Sequence, residues 1–368
     1  MVKFVSPMER KRQKAKLVLE DKSFFEGFLF GHPRSAAGEV VFQTGMVGYP
    51  EAMSDPSYFG QILTFTFPLI GNYGVPSQEK SAEGFFLHFE SGRIQPKGII
   101  VQDYSFAYNH WQAVQSLEQW MLQNKVPGMY GIDTRALTKK LREKGTMLGK
   151  IIVGAQKINA YDPNATDVLG EVTCKDPTEY GTGGPRVLLI DCGAKEGIVR
   201  SLRSRGAAVV RVPYDADISK YQYDGILISN GPGDPKKAAK TIAQIKKALL
   251  QTKPVFGICL GSQLLGLAAG GDTEKLKYGH RSQNQPCKNL QTGKCYITSQ
   301  NHGFAVTEKS LPKDWQVWFQ NINDHTVEGV KHKTKPFFSV QFHPEANPGP
   351  LDANFLFDDF LNLCKKAK

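Results

Sequence analysis

The sequence is poor in cysteine for its length. Its 368 residues hold six, at positions 174, 192, 259, 287, 295 and 364, and no two are spaced Cys-x-x-Cys. That spacing argues against a zinc site and offers no disulfide framework, so no metal is expected and a reducing, cytoplasmic setting is. No apolar run approaches the roughly 20 residues a membrane span needs, and the N-terminus lacks the apolar core of a secretion signal. A Gly-x4-Gly-Lys-Ser/Thr phosphate loop is also missing, which leaves no nucleotide-binding machinery to expect in this chain. The net charge is +11, but Lys3, Arg10, Lys11, Arg12, Lys14 and Lys16 stand against Glu9 alone within residues 1–16. Much of the excess therefore sits in one arm without interleaved aromatics, so nucleic acid and membrane are not expected partners.

What is present divides into parts of different periodicity. After the basic arm (1–16), residues 17–160 carry short β-rich runs at Ala15 to Leu19, Glu39 to Thr44, Gln61 to Phe67 and Gly98 to Val101, broken by Gly, Pro and Asp clusters. A helix is expected over Gln112 to Asn124. A second is expected to begin at the N-cap Asp133, with Leu137 and Leu141 one turn apart and Gly145 as its stop. Residues 161–184 lack periodicity, are rich in turn formers and read as a linker. From 185 to 368 short apolar runs alternate with helical stretches. The fold class expected is therefore α/β: a doubly wound, mainly parallel sheet preceded by a smaller α+β domain.

The chemistry concentrates at Gly257-Ile258-Cys259-Leu260-Gly261, between an apolar strand and a helix. Two small residues let the chain turn sharply and expose the middle side chain, while the helix N-terminus favours a thiolate and frees a backbone N–H for an oxyanion. Alone, this pattern also fits a packing cysteine between turn glycines. Far along the chain, Phe342-His343-Pro344-Glu345 ends a strand-like run, and residues two apart on a strand share a face. His343 alone would be a turn cap. Together, Cys259, His343 and Glu345 supply a nucleophile, a proton carrier and an orienting carboxylate.

With these stretches the run from Arg186 onward resembles a class I (triad) glutamine amidotransferase. The block Gly38 to Glu51, the runs Asp55-Pro56-Ser57-Tyr58 and Pro68 to Gly74, Asn230-Gly231-Pro232-Gly233-Asp234-Pro235 and Ser299-Gln300-Asn301-His302-Gly303-Phe304 narrow the likeness to the glutamine-hydrolysing small chain or domain of carbamoyl-phosphate synthetases. The resemblance implies hydrolysis of L-glutamine through a cysteinyl thioester, with Cys259, His343 and Glu345 as triad. It also implies glutamine recognition by Ser57, Gly231, Gly233, Leu260, Gln263, Asn301, Gly303 and Phe304, and transfer of ammonia to a synthetase large subunit or domain that binds ATP and Mg. This chain would then need no cofactor of its own. Two departures stand out. Ser262 occupies a position where members commonly have histidine, and Gly45 one where some have serine. Relatives used with free ammonia have lost the cysteine, which this chain keeps. A catalytically silent interaction subunit, in which the same residues are held out of register, is the alternative of a different class. A further option is another amidotransferase of this fold, serving nucleotide or anthranilate synthesis, against which the block at Gly38 argues.

Overall fold

A computed structural model describes residues 13–367. Most of the basic arm lies outside that range. The first strand, Lys14–Leu19, nevertheless takes Lys14 and Lys16 from it.

Seven strands of the N-terminal part close into a barrel, in the order Lys14–Leu19, Met147–Val153, Ala36–Gln43, Gln61–Phe65, Gly98–Ile100, Pro127–Tyr130 and Phe24–Gly31. Met147–Val153 alternates buried and half-buried positions along its length, the period of a strand with one face to the core. Leu17, Val40, Ile62, Ile100, Met129 and Ile151 fill the interior without exposure. The helix Thr134–Lys144 begins as the sequence predicts, with the Asp133 carboxylate accepting the Ala136 N–H at 2.8 Å, and it stops at Gly145, whose φ of 100° suits glycine. Its Leu137 and Leu141 enter the barrel core, each burial stabilising by about 1.5–3 kcal/mol.

The helix expected over Gln112 to Asn124 is shorter than that range. Ala113–Gln115 pairs with Val75–Pro76, and the helix is Leu117–Gln123. Ser116 sets its start: its side chain accepts the Gln119 N–H while Gln119 returns a bond to the Ser116 N–H, a capping box that forces extended backbone immediately before it.

The second part is built on one ten-stranded sheet. Its centre is parallel, in the order Ala208–Pro213, Arg186–Asp191, Gly225–Ile228, Val255–Ile258 and Phe337–Val340. These strands read as unbroken apolar runs because helices cover both faces. Ile198, Leu202, Phe357 and Phe360 pack on one side, and Ile245, Leu264 and Leu265 on the other. Beyond Phe337–Val340 the sheet continues antiparallel through Val327–His332, Trp315–Asn321, Thr273–Asn289 and Cys295–Val306. At the opposite edge, Thr178–Tyr180 from the 161–184 segment pairs antiparallel with Ala208–Pro213, so that segment contributes an edge strand. Among the described residues no helix is long and apolar enough to cross a membrane.

Candidate active site

Cys259 sits between the strand Val255–Ile258 and the helix Leu260–Ala269 with φ 55° and ψ −106°, a conformation that L side chains rarely adopt. Its neighbours explain how that turn is tolerated. A Cβ on Gly257 would meet the Gly261 carbonyl oxygen at 2.5 Å, and one on Gly261 would meet the Ile228 carbonyl oxygen at 2.2 Å. Both glycines are therefore steric requirements of the elbow. The Cys259 N–H is tied to the Val340 carbonyl at 2.9 Å, which fixes the turn to the next strand. The thiol lies 3.6 Å from the Asn301 carbonyl. Leu260 opens the helix, where the first N–H groups have no partner within the helix itself.

His343 and Glu345 follow the adjacent strand. The His343 N–H donates to the Ser299 carbonyl at 2.9 Å, and its Nδ1 meets Glu345 Oε1 at 2.6 Å, fixing the ring so that Nε2 is left to the cysteine side. Nε2 is buried with no hydrogen bond of its own. Burial pulls the imidazole pKa down, but the Glu345 carboxylate and then Cys259 outweigh it, and the net shift is upward. The site thus favours an imidazolium beside the sulfur. Glu345 moves the other way: burial would raise it, yet Lys195 and His343 hold it below the usual carboxylate range.

Lys195 was not legible in the sequence. It is 3 % exposed, its Nζ lies 3.2 Å from Glu345 Oε1 and donates to the Ala346 carbonyl, and its N–H donates to Asn230 Oδ1 at 3.0 Å. A lone lysine after Gly193-Ala194 carries no motif. Only the fold brings it to a carboxylate 150 residues away.

The residues expected to recognise glutamine gather on one side of Cys259. Ser57, Gly231, Gly233, Gln263, Asn301, Gly303 and Phe304 all line a cavity with Cys259. Leu260 lines a smaller neighbouring one with Gly233. Gly231 is constrained as the elbow glycines are, since a Cβ there would meet the Cys192 carbonyl oxygen at 2.0 Å, and Gly233 has φ 85°. Gln263 Nε2 donates to the Phe304 carbonyl at 2.9 Å and to Gln341 Oε1 at 3.2 Å, holding the 301–304 strand to the elbow helix. Ser57 comes from the barrel. Its Oγ accepts from Asn230 Nδ2 at 2.9 Å, and nearby Asp55 Oδ2 accepts from Asn301 Nδ2 at 3.0 Å. The cavity wall is completed by Arg281, 5 % exposed and close to Glu39, which lies 2.8 Å from Lys275. Burial raises the Glu39 carboxyl, but Lys275 and Arg281 bring it below its ordinary value. The two departures lie off the cavity: Ser262 Oγ meets Ser339 Oγ at 2.8 Å behind the elbow, and a Cβ on Gly45 would collide with the Gln283 amide at 2.5 Å.

The cavity holds about 30 Å³ of space, room for about two waters. A free amino acid requires the walls to part. A second cavity, lined by His343, Lys195, Asn301 and Pro348, lies on the other side of the histidine.

Behind the 301–304 strand runs an ionic network that is buried except at its outer end, Asp324. His280 Nε2 meets Asp324 Oδ2 at 2.7 Å and its Nδ1 meets Glu328 Oε1 at 3.2 Å. His302 lies 3.7 Å from the same Glu328 oxygen, and its Nδ1 meets the Phe304 carbonyl at 2.9 Å. His280, His302 and Glu328 offer donor atoms within 4.8 Å of one another, the one such group among the described residues. Their bonds to each other, to Asp324 and to Phe304 give them a bracing role under the cavity wall.

Comparison with known proteins matches residues 188–363 to the family described as glutamine amidotransferase class-I, and residues 17–151 to the carbamoyl-phosphate synthase small chain, CPSase domain. The carbamoyl phosphate synthase arginine-specific small chain of Aspergillus oryzae is 48% identical over 97% of this chain and 81% of its own length. The mitochondrial carbamoyl-phosphate synthase [ammonia] of Aquarana catesbeiana is 49% identical over 98% of this chain, which spans 24% of that protein. The multifunctional protein CAD of Squalus acanthias is 49% identical over 96% of this chain, which spans 16% of it.

Proposed function

Because the chain belongs to the carbamoyl-phosphate synthase small-chain family, we propose that it hydrolyses L-glutamine to glutamate and ammonia and delivers the ammonia to a carbamoyl-phosphate synthetase large subunit or domain. Cys259, its thiol proton already passed to His343 Nε2, attacks the side-chain amide carbon as a thiolate. The tetrahedral oxyanion takes hydrogen bonds from the Leu260 N–H and the Gly233 N–H, one such donor typically lowering the barrier by about 3 kcal/mol. His343 then gives its proton to the leaving nitrogen, ammonia departs and a γ-glutamyl thioester remains. Water deprotonated by His343 hydrolyses the thioester, which restores the thiol and frees glutamate. Glu345, backed by Lys195, holds the imidazole tautomer and stabilises its charged form. The ammonia acceptor, with its ATP and Mg, belongs to the partner, and this chain supplies no cofactor. The free cysteines support a reducing, cytoplasmic setting, although the name of the frog relative places that protein in mitochondria.

The observation that carries this reading is the buried His343–Glu345 contact of 2.6 Å beside a cysteine at φ 55°. The test is glutamate release from glutamine by the wild-type chain and by Cys259→Ala, together with ammonia-dependent synthesis by the complex with its partner. Loss of hydrolysis with retained ammonia-dependent synthesis is expected. Equal hydrolysis by both chains would overturn the role of Cys259. No hydrolysis by the wild type, even with its partner, would leave a silent interaction subunit.

A further inference from the structure

The barrel domain carries a second concave site that shares no lining residue with the cavities at Cys259 and His343. It encloses about 170 Å³ and is lined by Arg34, Phe59, Arg93, Gln95, Lys97 and Lys125 among others, with no carboxylate in its wall. Four cationic side chains around one hollow repel one another, so the arrangement needs something to hold it. Part of the answer is the Phe59 ring, with Lys97 Nζ 4.6 Å and the Arg93 guanidinium 5.6 Å from its centroid. Arg93 is held further by donation to the Glu171 carbonyl at 2.6 Å. Among the described residues Arg34, Lys97 and Lys125 form no ion pair. Burial, then Arg34 and Arg93, depress the Lys97 pKa, and Glu171 only partly opposes them. The cations are therefore gathered without full neutralisation, and their summed field favours an anion in the hollow.

Gln95 is the second, independent observation. It is 5 % exposed and lines the hollow, and its Oε1 is buried with no partner in the protein. The amide orientation follows from its neighbours: the Ser91 hydroxyl donates to the Ser54 carbonyl at 2.5 Å, so toward Gln95 it can only accept, and Gln95 Nε2 donates to it at 2.8 Å. Oε1 is thus an unpartnered acceptor on a residue that shares the wall of the hollow with the four cations. An oxyanion that carries no proton gains nothing from it and is repelled; one with an O–H is matched on both counts.

We propose that this hollow binds hydrogenphosphate, its charge met by Arg34, Arg93, Lys97 and Lys125 and its O–H donated to Gln95 Oε1. Sulfate, equal in size and charge but without a proton near neutral pH, is the discriminating control. Bicarbonate, which has the proton but a single charge, is the second.

The test is titration calorimetry of the full chain with potassium phosphate, sulfate and bicarbonate at matched ionic strength and pH 7. Saturable phosphate binding is expected, with sulfate and bicarbonate each at least tenfold weaker, and weakened at least tenfold in Lys97→Met and in the exposed Arg34→Met, which leaves the fold untouched. Gln95→Leu should bring phosphate and sulfate to within about twofold of each other. Absence of saturable phosphate binding, sulfate binding as tightly as phosphate to the wild type, or unchanged phosphate binding in Arg34→Met would each overturn the proposal. A hollow that serves as a seat for an acidic segment of a partner protein would give the first of these results. None of these readouts depends on glutamine hydrolysis.

Discussion

Lys195 illustrates how one buried side chain conditions a whole site. It neutralises Glu345 in a region closed to water, and removing one member of a buried pair leaves the other uncompensated, which typically costs about 3–5 kcal/mol. Lys195→Met is expected to lower the midpoint of chemical denaturation accordingly and to reduce kcat for glutamine, because His343 loses the carboxylate geometry that orients it. An unchanged denaturation midpoint would show that Glu345 is stabilised by other means. The two residues flanking the cysteine in the reaction should differ in weight. His343→Asn removes the proton carrier of both chemical steps and should cost about 10²–10⁴ in kcat. Glu345→Gln removes only an orienting group and should cost less. If Glu345→Gln were the more damaging in steady-state glutamate release, the two roles would have to be exchanged.

At the scale of elements, the strand 301–304 is held from behind by the Asp324, His280, Glu328 and His302 network. Burial lowers the His280 pKa, but Asp324 and then Glu328 outweigh it and carry it from 6.5 to about 9. A group whose folded pKa is raised contributes stability that is complete below its unfolded value and disappears as pH rises through the folded one. Stability should therefore fall between about pH 6.5 and 9, by up to about 1.4 kcal/mol per pH unit for one proton. His280→Asn should flatten that slope. Denaturation measured across this window in both proteins checks it; identical slopes would remove His280 from the account. Glu328→Gln should raise the KM for glutamine more than it lowers kcat, since the network touches the cavity wall and not the sulfur.

None of this bracing was legible in the sequence, where His280 and Glu328 sit in strands of unremarkable pattern. What could be read was local. The elbow glycines, the Asp133 cap and the Gly145 stop act within a few residues of themselves, and their physics is written in adjacent letters. Lys195 and the wall residues Glu39 and Arg281 depend on contacts between segments more than 100 residues apart, and no periodicity announces them. The helix expected over Gln112 to Asn124 is cut to Leu117–Gln123 for a related reason, because the Ser116 capping box decides the boundary. The edge strand Thr178–Tyr180 was hidden because three residues are too few to show alternation.

For the whole molecule, the central fact is that the cavity at Cys259 is walled by two domains. Ser57 lines it from the barrel side and Asn301 from the sheet side, and behind the wall Asn230 Nδ2 donates to Ser57 Oγ at 2.9 Å and Asn301 Nδ2 to Asp55 Oδ2 at 3.0 Å. With about 30 Å³ over Cys259, the isolated chain should hydrolyse glutamine slowly. Its kcat should rise severalfold or more when a synthetase binds with ATP and bicarbonate, as loops around Cys259 and Gly233 move apart. Steady-state glutamate release with and without the partner measures this, and full turnover by the chain alone would contradict it. The seam also has a mechanical meaning. A body pressing on the barrel need never reach the sulfur to act on it, because Asp55 holds the Asn301 amide at 3.0 Å and the Asn301 carbonyl lies 3.6 Å from the thiol. The joint between the domains is thus the place where a throttle on an already assembled triad would sit, and the partner-dependent rise in kcat is its measure.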